Sequence, residues 1–311
     1  MVLSRLAVAV VLVLVATLGT FLLLRLAPGN AALATLPSDA TPAQIAEAKS
    51  RLGLDSPLLV QYGNYLLHLV RGDMGRSYVN DVPVATLIGN ALPVTLSLAL
   101  MAILIAVPIA LVLGVYSGSH EGGRIDGTIT SWNSLMVATP QFFLGILLMV
   151  VFAVNLGWLP AIGFVPLNQD PVGFAEHIAL PAVTIGVTFA APLARLLRGS
   201  MATVLAQDYV TAAESRGVPW TSVLWSNALK NAAIPAVTQF GLQVIYLVGG
   251  QAIIEQLFGI PGMGMLAISA AYNRDLPVIQ GIVVVAAITA VTISMLVDVI
   301  YRYLDPRIRT G

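Results

Sequence analysis

Catalysis needs nucleophiles, bases or metal ligands at set spacings, and this chain of 311 residues holds few of them. It has no cysteine, which removes disulfides, thiolate metal sites and thiol nucleophiles together. Its three histidines, His68, His120 and His177, lie at no ligand spacing, so no metal site is predicted. A phosphate-binding loop requires Gly-Lys-Ser/Thr, whereas the only lysines, Lys49 and Lys230, follow Ala48 and Leu229; nucleotide binding by such a loop is excluded. What the chain does offer is hydrogen bonding without charge. Gln239, Gln243, Tyr246 and Gly250 recur at steps of four, three and four, which places them on one helical face. A solute passing along that face would meet polar partners and no fixed charge to trap it. The same side chains could instead join helix to helix, as polar groups in membranes do.

The elements that must carry this face are apolar. Of the residues, 58% are hydrophobic and 10% charged, and the mean hydropathy is +0.88. Soluble domains carry roughly a quarter charged residues, so the composition predicts an all-α, polytopic membrane protein embedded in the lipid bilayer. The formal net charge is zero, and no basic field argues for nucleic acid. Six charge-free windows are long enough to cross a bilayer: Leu6 to Leu24, Leu92 to Tyr116, Leu135 to Leu156, His177 to Ala194, Pro235 to Ile254, and Leu276 to Val297. The first is too long for an ordinary signal core and reads as a retained span. Six spans put both termini on one side. With that side cytoplasmic, the inner segments hold Arg5, Arg124, Arg195, Arg198, Arg216, Lys230, Arg302, Arg307 and Arg309, and the short outer loops hold only Arg274.

Three regions follow: residues 1–27 with the first span, an outer loop over 28–90, and a core over 91–311 with a cytoplasmic loop at 197–234. In the outer loop, Thr41 is a helix N-cap before Pro42, with Gly53 as the stop. A second helix repeats the pattern with Pro57 in its first turn and carries the stripe Leu58, Tyr62, Tyr65, Leu66 and Leu69. Between the last two spans, Pro261, Gly262, Met263 and Gly264 admit two readings, a movable outer gate or a buried re-entrant turn; the glycines permit backbone conformations closed to other residues. Asp298 and Arg302 are spaced as an i,i+4 pair.

The polar stretch "DYVTAAESRGVPW", Asp208 to Trp220, is more than a chain return needs. Asp208 to Ser215 is helical material, Gly217 suits a left-handed cap, and Pro219 begins a second helix with Trp220, Val223, Leu224 and Ala228 on one side. Ala212 and Ala213 are small enough for another protein's backbone to approach, so the helix pair is a candidate dock.

"TAAESRG" followed by "NALKNAAIP" resembles the cytoplasmic coupling loop of ABC-importer permeases, with Ala212, Ala213, Gly217, Ile234 and Pro235 on the pattern. Thr211 stands where the general pattern has Glu; the peptide-transporter branch shares this, and "DYV" commonly precedes the motif there. "LAPGN", "LGLDSPLLVQYGNYL", "RGDMGRS", "LPVTLSLAL", "EQLFGIPGMG" and "YLDPRIR" extend the resemblance, over nearly the whole chain, to the first permease of dipeptide, oligopeptide and nickel importers. That resemblance implies a type I importer permease fold in a bacterial or archaeal cytoplasmic membrane. It also implies a heterodimer with a second permease, cytoplasmic ATPase subunits that hold the ATP and magnesium, and an extracytoplasmic substrate-binding protein. This chain would itself bind no cofactor and catalyse nothing. Thr211, Ala212, Ala213, Glu214, Arg216, Gly217 and Trp220 would form the coupling dock. Import of a nickel chelate or another small solute stays open. An ion-coupled secondary transporter would usually show mid-span charges and an internal repeat, which are nearly missing here.

Overall fold

The computed structural model describes residues 10, 11, 13–22, 41–51, 55–249 and 251–304. In chain order the helices are α1 (Val13–Leu22), α2 (Pro42–Arg51), α3 (Leu58–Val70), α4 (Val84–Ser119), α5 (Arg124–Ala138), α6 (Gln141–Leu148) and α7 (Pro171–Leu205). Then come α8 (Asp208–Ser215), α9 (Trp220–Ser222), α10 (Leu229–Val248), α11 (Ala252–Phe258), α12 (Met263–Tyr272) and α13 (Leu276–Leu304). π-Helical turns extend α6 over Met149–Asn155 and join α9 to α10 over Val223–Ala228. Among the described residues the only β pairing is an isolated bridge between Arg76 and Pro83.

Among the described residues, four helical runs are long and apolar enough to cross a membrane: α4, α7, the run Trp220–Val248, and α13. The third apolar window is not straight. Thr139, forced toward extended backbone by Pro140, ends α5, and the chain turns by 100° into α6 and its π-turn. Counting each bent helix pair as one span gives up to six. The ends of the first window, Gly53, "LAPGN", Gly250 and the chain after Leu304 lie outside the described residues.

Local chemistry explains several boundaries. Thr41 and Gln44 form a reciprocal capping box: the Gln44 amide donates to Thr41 Oγ1 at 3.4 Å, and the Thr41 amide donates to Gln44 Oε1 at 2.8 Å. Asp170 caps α7 by accepting from the Val172 amide at 3.0 Å, with Pro171 at the first helical position. Pro57 is the cap residue of α3, not its first turn. Tyr62, Tyr65, Leu66 and Leu69 are half-buried, but Leu58 is exposed.

The chain divides into two compact units, Met1–Thr95 with Pro261–Val291, and Leu96–Ile260 with Thr292–Gly311. In the first, Val84, Ile88 and Ala91 pack with Met263, Ala270, Val278 and Ile282. The Asp275 carboxylate, buried, accepts from the Ser77 hydroxyl and from the Tyr78 amide at 3.0 Å, pinning the turn after α3. In the second, Ala106 and Ala110 of α4 pack on Ala190, Leu193 and Ala194 of α7, with Phe240 of α10 against them.

Candidate functional site

The polar stretch folds as a helix pair closed on itself. After α8 the Gly217 amide donates to the Glu214 carbonyl at 2.8 Å and the Val218 amide to the Ala213 carbonyl at 3.2 Å. With Gly217 at φ +77°, this is a Schellman cap. Val218, Ala213, Val210 and Val223 then form a small core between α8 and the π-turn. Ala213 is therefore turned inward, 3% exposed, whereas Thr211, Ala212, Glu214, Arg216 and Gly217 face outward. Trp220 does not share the buried side of Val223, Leu224 and Ala228; at the first position of α9 it is 42% exposed. Trp225, on the π-turn, is exposed as well. Sequence periodicity missed it, because a π-turn departs from the period of 3.6. Tyr209 completes the aromatic border, its hydroxyl accepting from Asn231 Nδ2 at 3.0 Å.

This pair is joined rigidly to the spans beneath it. Leu205 touches the small core and also packs on a larger one, Val115 of α4 with Leu197, Met201 and Val204 of α7 and Leu224, Ala228 and Ala232. A Cβ on Gly118 would lie 2.5 Å from Met201 Cβ, and one on Gly114 would lie 2.8 Å from Leu197 Cβ, so α4 meets α7 at glycine distance. Beside that seam Asp126, 4% exposed, accepts from Arg198 Nε at 2.5 Å and Nη2 at 2.6 Å. It also accepts from Ser117 Oγ at 2.6 Å, the Gly122 amide at 2.9 Å and Thr130 Oγ1 at 3.3 Å. One carboxylate thereby ties the end of α4, the turn after it, α5 and α7. Neither Asp126 nor its pairing was visible to sequence reasoning, which counted Arg198 only as an inner cation.

The polar face of α10 is only partly assembled. Gln243 Nε2 donates to the Phe189 carbonyl of α7 at 3.5 Å, while its Oε1 is buried without a partner. Tyr246 lies against the same residue, ring centroids 6.3 Å apart, and is 66% exposed. Gln239 lines a different space, a cleft between α7 and α10. Between α11 and α12 the left-handed glycine is Gly259 at φ +64°, not Gly262 or Gly264. Gly262 caps α12 in extended backbone, and the buried Met263 amide donates to Thr95 Oγ1 at 2.8 Å. Pro261 is exposed and Gly264 buried. Among the described residues, no three histidine, cysteine or acidic side chains group as metal ligands.

Long apolar helices, a polar face without fixed charge and a surface helix pair welded to the spans define a multi-pass membrane transport component. The comparisons specify it. Residues 110–310 match the family described as binding-protein-dependent transport system inner membrane component, and residues 1–99 match its N-terminal counterpart. The chain belongs to this family. It is 38% identical over 309 residues to a putative peptide transport system permease protein of Brucella abortus, 99% of this chain and 98% of that one. It is 34% identical over 310 residues to the oligopeptide transport system permease protein AppB of Bacillus subtilis, with the same coverage. The glutathione transport system permease protein GsiC of Salmonella choleraesuis is 35% identical over 308 residues, again covering 99% and 98%. Among solved structures, a chain of the MetNI methionine ABC transporter in an inward-facing conformation shares the fold, with a TM-score of 0.56 at 19% identity over 70% of this chain and 96% of that one.

Proposed function

We propose that this chain is the permease subunit of an ATP-driven importer of dipeptides or oligopeptides. Full-length similarity to proteins named as peptide, oligopeptide and glutathione permeases carries the reading. A second permease completes the path, an extracytoplasmic binding protein delivers the peptide, and cytoplasmic ATPase subunits hold ATP and magnesium. Both termini and α8 face the cytoplasm, following the positive-inside rule. The outward side of α8, with Thr211, Ala212, Glu214, Arg216 and Gly217, seats in an ATPase cleft bordered by Trp220 and Trp225, while Ala213 holds the dock together from within. Movement of the ATPase pair displaces this dock, and the spans exchange inward for outward access. Gln243 and Tyr246 are assigned to the path, Gly250 joins them by its spacing in the sequence alone, and Gln239 belongs to the neighbouring cleft. The segment Pro261, Gly262, Met263 and Gly264 forms the outer constriction as an anchored re-entrant turn, the Thr95 bond favouring that over a loose flap.

The experiment is ATP hydrolysis and peptide uptake by the reconstituted assembly, with and without binding protein, comparing wild type with Ala212→Trp and Gly217→Pro. Variants that assemble but lose substrate-stimulated hydrolysis and uptake support the dock. Unchanged stimulation in both variants removes it.

A further inference from the structure

Two arginines sit one turn apart on α7 and live in different surroundings. Arg198 is held by the Asp126 carboxylate from two nitrogens. Arg195 has no carboxylate partner among the described residues; its Nη2 donates to Ser134 Oγ at 3.2 Å. The rest of its five-donor guanidinium is free for a ligand. Arg195 lines an open cleft of about 810 Å³ between α5, α7 and α10 and is its one charged lining residue. Around it are the hydroxyls of Ser200 and Thr203 and the amides of Asn231 and Gln239. Gln239, one turn from Gln243 along α10, lines this cleft and not the space beside Phe189 where Gln243 and Tyr246 lie. Arg195 is exposed to this cleft, so its guanidinium is accessible to a ligand that enters it.

We propose that this cleft is the cytoplasmic release site of the path, and that Arg195 receives the free carboxylate of the departing peptide. The inference rests on the peptide-permease reading above. A terminal carboxylate ionises near pH 3.5, so every linear peptide carries it whatever its side chains. A planar guanidinium is the side chain best matched to it, through two parallel bonds. The amides and hydroxyls around Arg195 suit the peptide backbone and are indifferent to side-chain identity. The neutral face above passes the peptide, and the cation below meets the one charge that all such substrates share.

The test uses the whole transporter assembly, without binding protein or nucleotide, in phosphatidylcholine nanodiscs. Equilibrium binding of labelled trialanine is compared with that of its C-terminal amide. The free acid binds tighter by at least about tenfold, the smaller end expected for hydrogen bonds to a charged group. In Arg195→Gln the acid-to-amide ratio falls to about one, and in Arg195→Lys, which keeps charge without the fork, it lies between. Equal binding of acid and amide by wild type overturns the proposal, whatever the variants do. So does a preference that survives Arg195→Gln. Repeating the measurement with anionic phosphatidylglycerol separates the other source of an oxyanion: if Arg195→Gln changes only the lipid dependence and not the peptide ratio, the arginine anchors a headgroup and the proposal falls. Uptake assays with binding protein keep the two readings apart. Peptide uptake without acid preference in the cleft removes this inference alone, and absence of peptide uptake removes the reading beneath it.

Discussion

Replacing Asp126 by Asn keeps the side chain's volume and removes its charge. The amide oxygen can still accept from Ser117 or Gly122, but the new NH2 faces the Arg198 donors that held the carboxylate at 2.5 and 2.6 Å. Removing one member of a buried pair costs about 3–5 kcal/mol. The Arg198 side chain is 27% exposed and can recover some hydration, which places the cost near the lower figure, about 3 kcal/mol. Scaled by about 2–4 °C per kcal/mol, the melting temperature falls by about 6–12 °C, with the lower end suited to a chain this long. The assay is thermal melting of the purified assembly in one detergent, followed by loss of the monodisperse chromatographic peak. Ser117→Ala removes a single bond and lowers the midpoint by only about 2 °C. The double variant Asp126→Asn with Arg198→Gln falls short of the sum of its parts, because each single change already breaks the shared pair. An Asp126→Asn midpoint within about 1 °C of wild type, or no lower than that of Ser117→Ala, refutes the carboxylate as the node of this corner.

Gly118→Ala places a methyl 2.5 Å from Met201 Cβ and 2.8 Å from the Arg198 carbonyl, and destabilises by about 2 kcal/mol; Gly127→Ala, with nothing within 4 Å, stabilises α5 by up to about 1 kcal/mol in the same melt. Gly217→Ala costs about 1 kcal/mol through its left-handed backbone and Gly217→Asn less, read by protease susceptibility at the α8 end. The Tyr65 hydroxyl is buried without a hydrogen-bond partner among the described residues, and burial, with Tyr62 adding, pushes its pKa up to about 12. The folded state therefore holds this proton longer than the unfolded one. Its stability contribution is complete below the unfolded value of about 10 and is lost as pH rises toward 12. Tyr65→Phe flattens that alkaline loss in a pH series of melts and costs nothing at neutral pH.

What the sequence made legible was local. An N-cap needs only the residue before a helix, and a Schellman cap needs a glycine just past one, so Thr41 and Gly217 could be read directly, while the reciprocal bond from Gln44 appears only in the structure. Apolar windows located the long helices because their lengths answer to bilayer thickness. Features joining distant segments were not legible. Asp126 and Arg198 lie 72 positions apart, and Ser77 and Asp275 lie 198 apart, with no spacing rule to connect them. Whether Ala212 or Ala213 faces outward depends on where Val223 comes to rest, and that depends on a π-turn no periodicity announces. The fully buried Glu255 and the nearly buried Asp126 and Asp275 qualify the impression of a core poor in acids. Asp126 and Asp275 work as structural ties, and charge counts alone could not separate them from carriers of substrate.

These ties bear on how the proposed dock, once displaced, would move the spans. Chain connectivity alone would send the load from α8 into α7 behind it and α10 ahead of it. The packing adds α4, because the core that carries Leu224 and Ala228 also holds Val115, and Gly114 and Gly118 let α4 lie against α7 without an intervening layer. Asp126 then fixes α5 to the same body through Arg198. Interfaces packed at this density shift between discrete arrangements and do not stretch, so α4, α5, α7 and α10 should turn together at the ends nearest α8. Loss of coupling is then expected from the Gly118 seam and the Asp126 node as well as from the dock itself. Substrate-stimulated hydrolysis and uptake by Gly118→Ala and Asp126→Asn assemblies that remain intact check this: both fall if the four helices turn as one body, and activities equal to wild type in both would refute it.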